Sequence, residues 1–292
     1  MQIALVSNPT AGKGTARAAT AVAASRLRQR GVEVRELVGR DGAQALELCR
    51  HAVADGVDAL VALGGDGMVH LALQAVAGTP TALGIVAQGT GNDLANHLGL
   101  PVRSPAAAAD VVADGVTRLI DAVRVQPAGV WFGGVLGAGF DSVVNERANA
   151  MRWPKGPQRY NLAVAAELPR FRPVPFRITF DGEVVESDAM LVAVGNASSY
   201  GAGMKVLPDA IIDDGLLDVS VLGPVSKLEF LKTFPKVYKG THVHHPAVTI
   251  RRARVVQLEA RAVAYADGER IGPLPLTCEC VPGAVRVLVR DE

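Results

Sequence analysis

The stretch ALVALGGDGMVHLALQAVAGTPTALGIVAQGTGND, residues 59–93, decides the fold. It opens on an apolar run at 59–63, the length of a buried strand. Gly64-Gly65-Asp66-Gly67 interrupts that run, and residues 68–76 resume as a short helix. A second apolar run at 82–86 ends at Gly89-Thr90-Gly91-Asn92-Asp93, and another helix starts near Gly91. Strand, glycine loop, helix, repeated, predicts a parallel, layered α/β domain. In such sheets the loops at the carboxyl ends of the strands hold the ligand.

Working outward, residues 2–7 read as a buried strand, 15–29 as an Ala/Arg-rich helix, 32–37 as a strand of alternating charge, and 43–54 and 105–113 as helices. The character changes after Asp121. Residues 123–136, 176–180, 184–194, 216–222, 247–250, 255–259, 263–266 and 274–281 read as strands, with turn signals at 181–182, 213–215 and 267–268. This half predicts an antiparallel β-sandwich. We therefore expect an α/β nucleotide-binding domain over 1–122, joined by a returning C-terminal strand in 284–292, and a sandwich domain over 123–283.

A third glycine-containing loop, Asn8-Pro9-Thr10-Ala11-Gly12-Lys13-Gly14, follows the first strand. Three strand–loop–helix junctions on one sheet edge bring helix N-termini together, and their backbone N–H groups favour phosphate. Two familiar phosphate motifs fail. A P-loop would need glycine where Ser7 stands and Ser or Thr where Gly14 stands. A dinucleotide fingerprint would need a third glycine where Arg17 stands. Asp66 is open to two readings, a turn aspartate or a carboxylate that holds Mg²⁺ beside a triphosphate.

Of the 292 residues, 49% are hydrophobic and 20% charged, as in a globular chain, and the net charge of +1 excludes a global pull toward nucleic acid. Cys49, Cys278 and Cys280 form neither a zinc pattern nor a disulfide framework. The first residues lack a signal peptide's pattern, and no apolar run reaches membrane-spanning length. These features predict a cytoplasmic protein that meets lipid only from the water side.

Taken together, NPTAG (8–12), GGDGM (64–68) and QGTGND (88–93) resemble the NPxSG, GGDGT and PxGTxND motifs of the diacylglycerol kinase catalytic family, which includes sphingosine kinases and bacterial lipid kinases. GNASSYGAGMKVLPDAIIDDGLLDV (195–219) and the Asp267-Gly268-Glu269 triplet match its later markers, so the resemblance covers nearly the whole chain. Met68, His70 and Gln88 depart from the family pattern. The resemblance implies an NAD kinase-like fold and an ATP- and Mg²⁺-dependent lipid kinase acting on a diacylglycerol-like hydroxyl. By the same token Asn8, Pro9, Thr10, Ala11, Gly12, Lys13, Gly64, Gly65, Gly67, Gly89, Thr90, Asn92 and Asp93 would bind the nucleotide. Asp66 would hold the catalytic Mg²⁺ and Glu269 would be the general base. A structural Mg²⁺ would lie on Asp214 and the carbonyls of Ile211 and Leu216, linked to the nucleotide site through Asp121. A soluble-substrate kinase of the NAD kinase type and a non-catalytic lipid or nucleotide sensor are the competing functions.

Three further features need a reading. Alternation puts His242 and His244 on one face of an exposed strand, with no carboxylate nearby, which reads as a solvated strand end and not a zinc site. Cys278 and Cys280 read as reduced, partly buried thiols. Residues 147–177 interleave Arg147, Arg152, Lys155, Arg159, Arg170, Arg172 and Arg177 with Trp153, Tyr160, Phe171 and Phe176, against one acid, Glu167. That segment predicts peripheral contact with an anionic membrane. A homodimer is left open.

Overall fold

A computed structural model describes residues 1–8, 15–151, 153, 157–201 and 203–291. The first half alternates as the glycine loops predict: β1 (Gln2–Ser7), α1 (Thr15–Gln29), β2 (Glu33–Val38), α2 (Gly42–Ala54), β3 (Ala59–Gly64), α3 (Asp66–Val76), β4 (Ala82–Ala87), α4 (Asp93–His97) and α5 (Pro105–Asp114). β1, β3 and β4 are buried almost throughout, whereas β2 is mostly exposed, as a sheet edge requires. All four pair in parallel in the order β2-β1-β3-β4. Ala23, Ala24 and Leu27 of α1 and Ala109 and Val112 of α5 fill one face of this sheet. Cys49 of α2 and Leu73 and Val76 of α3 fill the other.

The second half runs β5 (Thr117–Gln126), β6 (Val130–Phe132), β7 (Val135–Gly139), α6 (Phe140–Ala150), α7 (Pro157–Glu167), β8 (Val174–Phe180), β9 (Glu183–Ala189), β10 (Leu191–Gly195) and β11 (Leu217–Leu222). It ends with α8 (Lys227–Thr233), 3-10 turns at Phe234–Lys239 and Thr241–His244, and β12 (Val248–Ala253), β13 (Val255–Glu259), β14 (Val263–Ala266), β15 (Glu269–Pro273) and β16 (Leu276–Leu288). An antiparallel sheet, β12-β11-β10-β7-β14-β15, packs on the antiparallel end of the first sheet. Val123, Phe132, Phe176, Ile178, Val256 and Cys278 on one side meet Leu136, Val192, Val194, Leu217 and Val219 on the other. This is the sandwich core.

Three strand assignments are corrected. Residues 123–136 are not one strand but parts of β5, β6 and β7, because Asp267 holds the 133–135 backbone in a bend. Residues 184–194 break at Met190, where the chain passes from the first sheet to the second. Residues 274–281 and 284–289 merge in the 13-residue β16, with an irregularity between Val281 and Val285. Val256 pairs with Cys278 near one end of β16 and Leu83 of β4 with Val287 near the other. One sheet thus runs through both halves.

The histidine reading is also corrected. Gly240, at φ 73°, ends one 3-10 turn and starts the next, so strand alternation does not apply. His242 is buried, and His245 Nε2 lies 3.0 Å from Glu229 Oε1, a carboxylate brought from outside the segment. Cys278 and Cys280 are completely buried, and burial pushes the Cys280 thiol up to about 12.

Candidate active site

β3 and β4 run side by side, so their loops leave the sheet together. A Cβ on Gly89 would stand 2.4 Å from the Cα of Gly65, and only glycines allow that crossing. Asp66, the first residue of α3, bridges the loops: Oδ1 accepts from the Asp93 amide at 2.7 Å and Oδ2 from the Asn92 amide at 2.9 Å. Asn92 is left-handed at φ 57°. Its Oδ1 accepts from the Gly89 amide at 2.7 Å and its Nδ2 donates to the Gly89 carbonyl at 2.9 Å. Asp93 Oδ1 accepts from the Gly203 amide at 3.2 Å, tying α4 to the sandwich half. An ionised carboxylate has about four acceptor sites, so Asp66 keeps capacity for a ligand in the cleft.

The opposite wall is the β14–β15 hairpin. Asp267 (φ 50°) and Gly268 (φ 84°) form its two-residue turn, the type I′ geometry that Asp-Gly favours. The Asp267 carboxylate accepts from the amides of Gly133, Gly134 and Val135 at 3.1, 3.1 and 3.2 Å. His70 Nδ1, on α3, lies 3.6 Å from Asp267 Oδ2. Behind the turn, Arg270 pairs with Glu146 at 2.7 Å, and the Tyr265 hydroxyl donates to the same oxygen at 3.1 Å. Held from both sides, the hairpin presents Glu269 to the start of α3. Its Oε1 lies 3.0 Å from where a Cβ on Gly67 would be.

Asp141, on α6, forms the floor. It is buried, accepts from the Tyr160 hydroxyl at 2.8 Å and from Asn145 Nδ2 at 3.1 Å, and is hydrogen-bonded by Tyr200. A Cβ at Gly137 would come within 2.7 Å of its Oδ2, so glycine makes its place. Burial pushes the Asp141 carboxyl above the usual carboxylate range, with the hydrogen bonds from Tyr160, Tyr200 and Asn145 opposing. Burial, and then the charge of Asp141, pushes both tyrosine hydroxyls up.

These walls enclose a cleft of about 580 Å³. Gly65, Asp66, Gly67, Thr90 and Asp93 line it with Glu269, so these sequence-derived residues converge. Gly64, Gly89 and Asn92 shape the loop backbone behind them. Asn8 follows β1, while Pro9, Thr10, Ala11, Gly12 and Lys13 lie outside the described residues. Sequence reasoning missed Asp141, assigned Tyr160 to membrane contact and gave Tyr200, inside the 195–219 marker, no role. Beyond those three lies a separate apolar chamber of about 70 Å³, walled by Phe140, Met204, Leu222, Phe230, Phe234 and Val237.

The second expected metal position lies apart, where β5 meets the 211–216 loop. Asp121 is buried and accepts from the amides of Gly215 and Gly283 at 2.6 and 2.8 Å. Asp214 pairs with Arg252, whose Nε is 3.4 Å from Asp218 Oδ2. That buried Asp218 oxygen has no hydrogen-bond donor among the described residues. Burial pushes its carboxyl up. The donors here, the Asp214 carboxylate beside loop carbonyls, are the oxygen types that Mg²⁺ takes together with water. Among the described residues, no three His, Cys, Asp or Glu side chains cluster as metal ligands.

An α/β sheet whose glycine loops face a β-sandwich across an acidic cleft is the NAD kinase-like architecture that the motifs imply. The chain belongs to the diacylglycerol kinase family. The diacylglycerol kinase catalytic domain model matches residues 2–125, and the YegS C-terminal NAD kinase beta sandwich-like domain model matches 134–289. A Mycobacterium tuberculosis protein named diacylglycerol kinase is 46% identical over 98% of this chain and 94% of its own. A Bacillus subtilis protein of the same name is 28% identical over 93% and 90%. A crystal structure from Bacillus anthracis, 23% identical, covers 99% of this chain and 95% of its own with a TM-score of 0.81 and shows the fold. The protein is a lipid kinase, and among the described residues no helix is long and apolar enough to cross a membrane.

Proposed function

We propose that the protein transfers the terminal phosphoryl group of ATP to the free hydroxyl of diacylglycerol, giving phosphatidic acid. The observation that carries this reading is the junction at Asp141, Tyr160 and Tyr200. There a polar cleft with phosphate-type loops meets a small, mostly apolar chamber of about 70 Å³, room for only the first few carbons of an acyl chain. A nicotinamide nucleotide would have no use for that chamber.

In this reading Gly64, Gly65, Gly67 and Thr90 cradle the phosphates, Gly89, Asn92 and Asp93 hold the second loop, and Asn8 through Lys13 contact the nucleotide. Asp66 receives Mg²⁺, which neutralises phosphate oxygens when bound. Glu269 accepts the proton of the lipid hydroxyl as that oxygen bonds to phosphorus and the bridging oxygen leaves with ADP. Labelled ATP supplied with diacylglycerol, phosphatidylglycerol, sphingosine or NAD tests the substrate. Label in diacylglycerol alone supports the proposal; transfer only to NAD overturns it.

Val237→Phe is expected to fill the chamber, lowering kcat/KM on a long-chain diacylglycerol about tenfold or more while leaving ATP binding unchanged. Equal rates on long- and short-chain substrates, matching wild type, would take the chamber out of the lipid site.

We also propose that Asp214, with the Ile211 and Leu216 carbonyls and Asp121 behind them, holds a structural Mg²⁺ after Arg252 withdraws. Binding to the folded state alone raises apparent stability. A chelator should therefore lower the wild-type melting temperature and leave Asp214→Ala unmoved. Equal shifts in both would remove the ion from Asp214.

A further inference from the structure

The basic stretch 147–177 does not form one surface. Arg147 pairs with Glu167, and Arg177 lies within 4 Å of Glu186 and Glu259 on the sandwich. Phe176 is in the sandwich core, and Tyr160 bonds Asp141. Arg152 and Lys155 lie outside the described residues. Arg170 and Arg172 remain exposed at the end of α7. There they adjoin a part of the chain 58 residues away: Lys227 Nζ, at the start of α8, donates to the Pro169 carbonyl.

α8 has two faces. Phe230, Thr233 and Phe234 of α8 and the next turn wall the apolar chamber. On the outside, Leu228 is 64% exposed and Leu231 54%, whereas Tyr238, in the next turn, lines the cleft. Exposed leucines three residues apart on a helix share a face, and no described residue covers them. A row of rings joins outside to inside: Phe171–Phe140, Phe140–Phe230, Phe230–Phe234 and Phe234–Tyr238 have centroids 5.1, 5.1, 5.8 and 6.3 Å apart.

Lys227, Lys232, Lys236 and Lys239 are exposed around these apolar side chains, beside Arg170 and Arg172. Of the two acids in these segments, Glu167 is paired with Arg147 and Glu229 lies 3.0 Å from His245. We propose that α8, the 3-10 turn after it and the Arg170–Arg172 segment form the surface that docks on an anionic lipid bilayer. Leu228 and Leu231 enter the headgroup–acyl boundary and the six cations meet the headgroups. This rests on the lipid-substrate reading, since the docked helix is also a wall of the proposed acyl chamber. A lipid leaving the bilayer would pass from the outer face of α8 to its inner one. Charge selects the bilayer over a second copy of the chain, because a two-fold interface would press the six cations against themselves.

The test is sedimentation with phosphatidylcholine vesicles with and without phosphatidylglycerol, across a salt series. Wild type should bind the anionic vesicles, and more weakly as salt rises. Leu228→Glu with Leu231→Glu should cost about tenfold or more in affinity. Lys232→Glu with Lys236→Glu should cost at least about fivefold per lysine, on anionic vesicles only. Leu228→Ser with Leu231→Ser repeats the first test should the glutamates disturb folding. Turnover of a short-chain diacylglycerol below its micelle concentration should fall far less than turnover on vesicles. Wild-type sedimentation by the leucine variants overturns the proposal, as does a wild-type dimer that those variants dissolve. Leucine-dependent binding by an enzyme that phosphorylates no lipid would sink the substrate reading and leave the docking surface standing.

Discussion

Asp66→Ala is expected to lower phosphoryl transfer by about 10³-fold or more, the range lost when a charge-stabilising group is removed from a phosphoryl-transfer site. Two losses combine in this variant. The carboxylate proposed for Mg²⁺ disappears, and the amides of Asn92 and Asp93 lose their acceptor. The second loss loosens the Gly89–Asp93 loop against α3, so ATP affinity should fall along with kcat. Charge-assisted hydrogen bonds of this kind contribute about 1.5–3 kcal/mol each, and a melting temperature lower by several degrees should follow. Asp66→Asn separates charge from shape poorly, because its Nδ2 would meet a backbone N–H, donor against donor. The decisive readings are kcat, the ATP dissociation constant and the melting curve, taken together. Near-normal turnover would remove Asp66 from the mechanism.

Glu269→Gln should behave differently. The side chain keeps its size and loses only the proton acceptor, a loss that typically costs on the order of 10²–10⁴-fold in rate. Its neighbours argue that the turn will survive: Asp267 is held by three amides and Arg270 by Glu146, and neither depends on Glu269. ATP affinity and melting temperature should therefore stay at wild-type values while the maximal rate collapses. A rate within about threefold of wild type, far short of that range, would leave Glu269 as a solvated hairpin residue and the base unassigned. The two variants are diagnostic as a pair. Asp66 joins two loops and its loss should move every observable, whereas Glu269 should move kcat alone.

Much of this site was legible because its parts are local. β3 and β4 are short apolar runs ended by glycine, and parallel strands with helical crossovers put their loops on one edge. Asp66 and Glu269 were named through the family resemblance of their short motifs, since the local pattern alone left Asp66 open between a turn and a metal ligand. What no local pattern carried was the contact between them. Glu269 reaches Gly67 only because Asp267 captures amides more than 130 residues earlier in the chain, and a sequence does not display that closure. The same holds for Asp141, whose partners Tyr160 and Tyr200 come from a helix and a distant loop.

The basic run 147–177 shows the converse. Residues close in sequence were dispersed, because the alternation of β8 buries Phe176 in the core while Arg177 faces glutamates on neighbouring strands. The cations that remain exposed adjoin α8, a seven-residue helix too short for its two-faced pattern to stand out. By itself the sequence determined the layered α/β half and the β-rich second half, since apolar period and glycine placement act over a few residues. Tertiary structure alone decided which carboxylates share a cleft, where an apolar chamber opens beside it and which apolar side chains stay outside. Those outcomes depend on packing and hydrogen bonds between segments tens to hundreds of residues apart.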